Sequence, residues 1–182
     1  DGRSLAFISG RSGIAQVWKI QVKRGVAEQL TKIPTGVESF SWLGSNNKIL
    51  VTSRVFADCD GDDCNREKLR REKDGMVKAQ LLDKLLFRHW DHWRNNRYTH
   101  LLLSSAKGNE TRDLTPGPTD SPPWSLGGMD GYDTSPDGQE VCFASNHDPI
   151  VAASTNNDLF LLSVTGKKAR KITNNLGSDT AP

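Results

Sequence analysis

The chain has 182 residues, long enough to bury a core, and its 24 basic and 22 acidic side chains leave a net charge of +2. So small an excess gives no ground to expect nucleic acid or an anionic membrane surface as a partner. No apolar run approaches the ~20 residues that cross a bilayer, which excludes a membrane-spanning helix, and no signal-peptide pattern is present.

Asp1-Gly2-Arg3-Ser4-Leu5-Ala6-Phe7-Ile8-Ser9 opens the chain as the end of a turn followed by a strand. The pattern returns in worn form at Leu43-Gly44-Ser45-Asn46 with Lys48–Ser53, and in full at Ser135-Pro136-Asp137-Gly138 with Glu140–Ser145. In the full copy proline presets φ, aspartate bonds the backbone ahead of it, and glycine accepts φ > 0. The residues after it alternate with period 2, as a strand requires. Phe7, Val51 and Phe143 each stand five places after the Gly or Asn of their turn.

A second block repeats in register with the first. Val17 to Leu30, Leu101 to Leu114 and Leu159 to Ile172 are each 13 residues apart, and each ends on a threonine (Thr31, Thr115, Thr173). Turn-plus-strand, strand, then strand ending in Leu/Ile-Thr predicts a four-stranded unit, the blade of a β-propeller. The remaining strand precedes the turn, at Ser39–Trp42 in the second unit and Gly131–Thr134 in the third. The expected fold is therefore all-β, a partial propeller of about three blades with one helical insertion.

Blade one is read as 1–31, with strands at about 4–9, 16–22 and 27–31. Its Gly10-Arg11-Ser12-Gly13 is a hairpin turn and not a phosphate loop, since no Gly-Lys-Ser/Thr or helix follows. Gly-x-Ser-x-Gly, the nucleophile elbow of α/β-hydrolases, occurs nowhere. Blade two is read as 36–115, with Trp42 expected in the core. Asp1 to Gln16 takes 15 residues, whereas Ser45 to His100 takes 55, so about 40 residues are inserted in 54–97. Loops of that length in compact domains are usually functional or disordered. Helix formers from Asn65 to Lys84, with Leu81/Leu85 and Leu82/Leu86 at i,i+4, predict a helix there. The paired Asn95-Asn96 then favours a turn and a β-hairpin over 86–98. Blade three is read as 129–173. The chain starts at the third letter of Ser-Pro-Asp-Gly and stops where another blade is due, so it is expected to be a piece of a longer polypeptide. Three blades do not close a ring of about 4–8, so either the open edges self-associate or the fragment belongs to a larger fold.

Several clusters invite a chemical reading. Asp58-Cys59-Asp60-Gly61-Asp62-Asp63-Cys64 has alternate carboxylates suited to a hard cation, but an EF-hand count puts Asp63 at the glycine position and Leu69 at the bidentate glutamate, which favours a solvated acidic turn. Cys59 and Cys64 are better a small-loop disulfide than half of a zinc site, with Cys142 left free. His89 and His92, between Arg88, Trp90, Asp91 and Trp93, read as a packed, hydrogen-bonded cap. Ser154 with His147 and Asp148 lacks an elbow or an oxyanion motif, so no catalytic residue is expected in this chain. No metal and no cofactor is expected.

Asp58-Cys59 with Cys64, Arg88-His89-Trp90-Asp91-x-Trp93, His100-Leu101, Asp113-Leu114-Thr115-Pro116-Gly117, Asp120-x-Pro122-Pro123, Ser135-Pro136-Asp137-Gly138 and Ser154-Thr155-Asn156-x-Asp158-Leu159 together resemble one family over nearly the whole chain. It is the N-terminal β-propeller of bacterial dipeptidyl and acylaminoacyl peptidases of the prolyl oligopeptidase family. The Ser-Pro-Asp-Gly repeats alone resemble any TolB-type propeller, and a non-catalytic protein-binding module of that type is the alternative. The resemblance implies a propeller that gates peptide access to a C-terminal α/β-hydrolase domain, which holds the catalytic triad and is absent here. Peptide and that domain are then the expected partners. Family members often carry export signals, which with the cysteine pair implies a periplasmic or secreted parent. Arg88, Trp90, Asp91, Trp93 and Tyr98 are the candidates for substrate gating or the domain interface. Asp91 is a candidate partner for a peptide amino group, with an ion pair to a nearby arginine as the preferred structural reading.

Overall fold

The computed structural model describes residues 2–44, 48–82, 84–105, 111–124 and 131–182. The chain begins with β1 (Ser4–Ser9), β2 (Gln16–Gln21) and β3 (Ala27–Gln29), then enters β4 (Ser39–Leu43) and β5 (Lys48–Phe56). The insertion holds α1 (Asp62–Asp74), β6 (Arg88–His89) and β7 (His92–Trp93). The blade resumes with β8 (Arg97–Ser105) and β9 (Thr111–Asp113), and β10 (Tyr132–Thr134), β11 (Glu140–Ser145), β12 (Asp158–Ser163) and β13 (Arg170–Lys171) complete the third. Three blade sheets run β1-β2-β3, β4-β5-β8-β9 and β10-β11-β12-β13, and β6-β7 is a separate hairpin. The fold is an all-β partial propeller with one helix in an insertion.

The spacing of 13 is a hydrogen-bond register. Leu30 N donates to Val17 O at 2.8 Å, Leu114 N to Leu101 O at 2.9 Å, and Ile172 N to Leu159 O at 2.8 Å. The amides of Val17, Leu101 and Leu159 donate in turn to Oγ1 of Thr31, Thr115 and Thr173, each at 2.9 Å. A threonine hydroxyl thus takes over where the ladder ends and satisfies an amide that would otherwise lack a partner. The residue before each of these amides is a buried polar group (Gln16, His100, Asp158) that binds the next stretch of chain. Gln16 bonds Ile33, His100 bridges Asp113 (2.6 Å) and Gly117 O (2.8 Å), and Asp158 meets Lys171 (2.6 Å).

Two apolar clusters separate the blades. Val17, Leu30, Ile33, Ile49, Val51 and Leu102 fill the space between blades one and two. Leu43, Leu50, Leu101, Leu114, Val141, Phe143 and Phe160 fill that between two and three. Consecutive residues of β5 enter different clusters, so the middle sheet is buried on both faces and its strand reads as a continuous apolar run. The Ser-Pro-Asp-Gly turn closes as its residues predict. Gly138 N donates to Ser135 O (2.8 Å) and Gln139 N to Asp137 Oδ1 (3.0 Å). Gly138 has φ +68, and a Cβ there would lie 2.9 Å from Gly44 N, so the turns of neighbouring blades meet backbone to backbone. Ser45 and Asn46 of the worn copy lie outside the described residues.

Three expectations need correction. The helix spans Asp62–Asp74 and not 65–84, because Gly75 leaves the helical region at ψ 139. Leu81, Leu82, Leu85 and Leu86 then lie exposed on an irregular arm, without a partner surface to favour another helical turn. Trp42 is 42% exposed: it shares a strand face with Phe40, and among the described residues blade one has no strand inside β1 to cover it. The blade strands also reach further into the insertion than expected, pairing to Phe56↔Arg97.

Candidate functional site: the insertion and the cleft beneath it

The insertion is tied to the blade at both of its ends. Cys59 and Cys64 form a disulfide with a Cα–Cα distance of 5.3 Å, which closes the loop leading into α1. Buried Asn65 accepts from Phe56 N at 3.0 Å and donates to Gly61 O at 2.9 Å, so the helix starts directly on the end of β5. Two carboxylates of the acidic turn are engaged by helix cations, Asp58 by Lys68 at 2.5 Å and Asp63 by Arg66. Cys142 is free.

At the other end β6 and β7 pair through Arg88↔Trp93 and His89↔His92. Their turn falls at Trp90-Asp91, and Asn95-Asn96, both at positive φ, make a second turn into β8. The expected turn at Asn95-Asn96 is present, but the hairpin expected to close on it is replaced by a shorter one within 88–93, because β8 is already paired with β5 and β9. Trp90 is 78% exposed. Asp91 pairs with His92 Nδ1 at 2.5 Å, correcting the expected arginine partner, because the tip carries both groups out into solvent away from the guanidinium groups. Arg88 lies 5.9 Å from the Trp93 ring, which stacks on Phe87 at 6.0 Å. His89 packs against Trp124 at 5.2 Å, so only one of the two histidines belongs to a packed cap.

Below the hairpin is an open cleft of about 1780 Å³. One wall is the arm with Val77, Leu82 and Leu86, and the facing wall is the blade-three loop with Pro149, Ile150 and Val151. Tyr98 reaches the cleft, whereas Arg88, Trp90, Asp91 and Trp93 stand outside its lining. The facing loop is fixed by its own polar groups: Asn146 Nδ2 donates to Ser154 O (3.3 Å), and Ser154 donates to the Asp148 carboxylate. His147 instead lies against the Phe160 ring at 4.5 Å, where burial lowers its pKa, so these residues form a loop brace and not a triad.

Sequence reasoning missed the groups that join hairpin to blade. Arg54, a lone cation in the apolar run of β5, donates to Trp93 O and Arg94 O, both at 3.0 Å, and lies 3.8 Å over the Trp124 ring. Glu38 was missed as well. Partial loss of hydration pushes its carboxyl up against the opposing pull of Arg54, although the residue as a whole is exposed. Among the described residues no hydrogen bond or ion pair within bonding distance engages that carboxylate. The signal for Arg54 was its place inside an apolar strand; Glu38 offered none.

No family model matches the chain. A peptidase of Bacillus subtilis, YuxL, described as uncharacterized, is 32% identical over 163 residues, covering 89% of this chain and 23% of that protein. Dipeptidyl-peptidase 5 of Porphyromonas gingivalis is 26% identical over 195 residues, covering 100% of this chain and 27% of the relative. The chain thus spans about a quarter of the length of these curated relatives. Among solved structures, Pyrococcus horikoshii acylaminoacyl peptidase superposes with a TM-score of 0.59 at 14% identity, over 96% of this chain and 23% of that one. Blade register and interblade cores define a β-propeller segment. In sequence, this propeller segment is similar to a part of two relatives described as peptidases.

Proposed function

We propose that the chain is the substrate-gating part of a serine exopeptidase of the prolyl oligopeptidase family, of dipeptidyl or acylaminoacyl type. In this reading the catalytic serine, aspartate and histidine lie on an α/β-hydrolase domain elsewhere in the parent, and the insertion forms part of the entrance or of the contact with that domain. The observation that carries it is a match to a dipeptidyl-peptidase over 100% of the chain, so that the insertion is matched along with the blade repeat. Connections held on a rigid scaffold are where binding groups concentrate. The Cys59–Cys64 bond supports an oxidising compartment, periplasmic or extracellular, for the parent. Asp91 is occupied by His92, so Glu38 joins it as the carboxylate proposed to meet a peptide ammonium group.

The test uses the full-length parent with Trp93→Ala, Asp91→Asn and Glu38→Gln, assayed on a dipeptidyl substrate. The expected result is a loss of roughly tenfold in kcat/KM, about 1.4 kcal/mol of transition-state binding, in Trp93→Ala and in at least one carboxylate variant. Retention within about twofold in all three makes the insertion decoration and overturns the reading.

A further inference from the structure

We infer that Arg94 and Trp124 are positioning residues that hold the β6–β7 hairpin at a fixed attitude over the cleft, making the insertion a preset rim and not a closing lid. The inference deepens the proposed gating function and, as far as function goes, rests on it. A ladder two residues long has no stability of its own in water. Its Trp90 is exposed and Trp93 half exposed, so no apolar core holds the hairpin down.

What holds it, besides the two bonds from Arg54 to Trp93 O and Arg94 O, is the Arg94 guanidinium and the Trp124 indole. Arg94 Nε donates to Leu86 O and its Nη2 to Asp120 Oδ2, each at 2.8 Å, which joins the incoming arm to the link after β9. Asp120 is itself fixed, since its Oδ1 accepts from Thr99 N on β8 at 2.8 Å. The side chains of Arg94 and Asp120 are only 13% and 15% exposed, so solvent screens the pair weakly, and removing one partner leaves the other charge largely buried. Trp124 collects the rest: Arg54 at 3.8 Å, Arg94 at 5.4 Å and His89 at 5.2 Å surround its ring. His89 belongs to the hairpin, Arg54 to β5 and Arg94 to the connection into β8, so the indole is the shared surface of all three. Lysine does not substitute for Arg94, because one ammonium lacks the planar fork that reaches a carbonyl and a carboxylate in different directions.

The experiment is amide hydrogen exchange on the full chain carrying Arg94→Ala, Arg94→Lys or Trp124→Leu. Arg94 N, which donates to Phe87 O at 2.9 Å, reports hairpin closure directly. Expected is an acceleration of roughly tenfold or more across 87–94 in all three variants, with the central amides of β5 and β8 unchanged. Unchanged exchange in the hairpin overturns the assignment, as does equal acceleration through β5 and β8, which would make these general stability residues. Rescue by Arg94→Lys overturns the part given to the guanidinium fork. Trp124→Leu keeps the test decisive if Arg94→Ala does not fold. In the full-length parent the expected change is a raised KM with kcat little altered. A loosened hairpin with KM unchanged leaves the positioning role standing and removes the gating reading.

Discussion

Leu101 and Leu81 belong to the same blade and meet opposite fates: the first is 0% exposed and the second 89%. Leu101 lies in a strand whose two faces are covered by different neighbours, Leu101 turned toward blade three and Leu102 toward blade one. Leu81 lies on an arm that crosses open space beside a cleft. The blades are held by apolar area removed from water. The insertion is held by a disulfide, a buried asparagine and guanidinium contacts, each directional and each at one point. The two regions therefore differ in what a substitution does: in the blade it changes stability, and in the insertion it changes position.

The largest effect that would break this contrast is on stability. Leu101→Ala is expected to destabilise the chain by about 2–5 kcal/mol, since a closed interblade core collapses only partly around a cavity. Leu81→Ala is expected to stay within about 0.5 kcal/mol, as for exposed sites away from special contacts. Denaturant midpoints of the two variants decide the matter, and comparable losses would show that the arm packs against something in solution.

The same contrast explains what the sequence made legible. Blades repeat, and their register is written in residue types at fixed spacing: the interval from Val17 to Leu30 is a backbone bond, and Thr31 is there for its hydroxyl. Ser-Pro-Asp-Gly is readable because its turn is made from its own side chains. The insertion has no second copy in the chain, so nothing fixes its register. The leucine pairs after Gly75 fit a helical face by spacing, but spacing does not show that no surface waits to receive them. Arg54 over Trp124 and Arg94 on Asp120 join residues far apart in the chain, and no local pattern announces such a contact. Trp42 was misread for a related reason: a repeat position is buried only where a neighbouring strand lies beside it.

A smaller effect sharpens the comparison within the repeat itself. Thr31 is fully buried, takes the Val17 amide and donates to Gln16 Oε1 at 2.7 Å. Thr31→Val strands the buried Val17 amide and leaves Gln16 Oε1 with the Ile33 amide alone, with an expected cost of about 1–3 kcal/mol. Thr173 takes the equivalent amide on the open side of blade three, where the neighbouring Ile172 is 42% exposed against 2% for Leu30. Water reaches that end, so Thr173→Val is expected to cost less than Thr31→Val. Equal losses would show that the open face of blade three is covered in solution.

The smallest effect concerns Glu38, at the junction of blade and insertion. Its folded carboxyl is raised above the ordinary 4.5, first by partial loss of hydration and against the attraction of Arg54, and because the residue is exposed the effect is small. A raised acid means that, between the ordinary value and the raised one, the native state binds more protons than the unfolded chain. Stability then falls as pH rises through that window and stays lowered above it. This is opposite in sign to Asp137, whose carboxyl is lowered by the Ser135 hydroxyl and whose contribution is present at neutral pH and lost in acid. Glu38→Gln removes the first slope without touching the second. Urea midpoints measured from about pH 4.5 upward should fall less steeply in the variant than in the parent sequence, and the variant should be the more stable of the two at neutral pH. A pH profile unchanged by Glu38→Gln would mean that the carboxylate is solvated like any surface acid. It would then be no better placed than Asp91 to single out a peptide ammonium group.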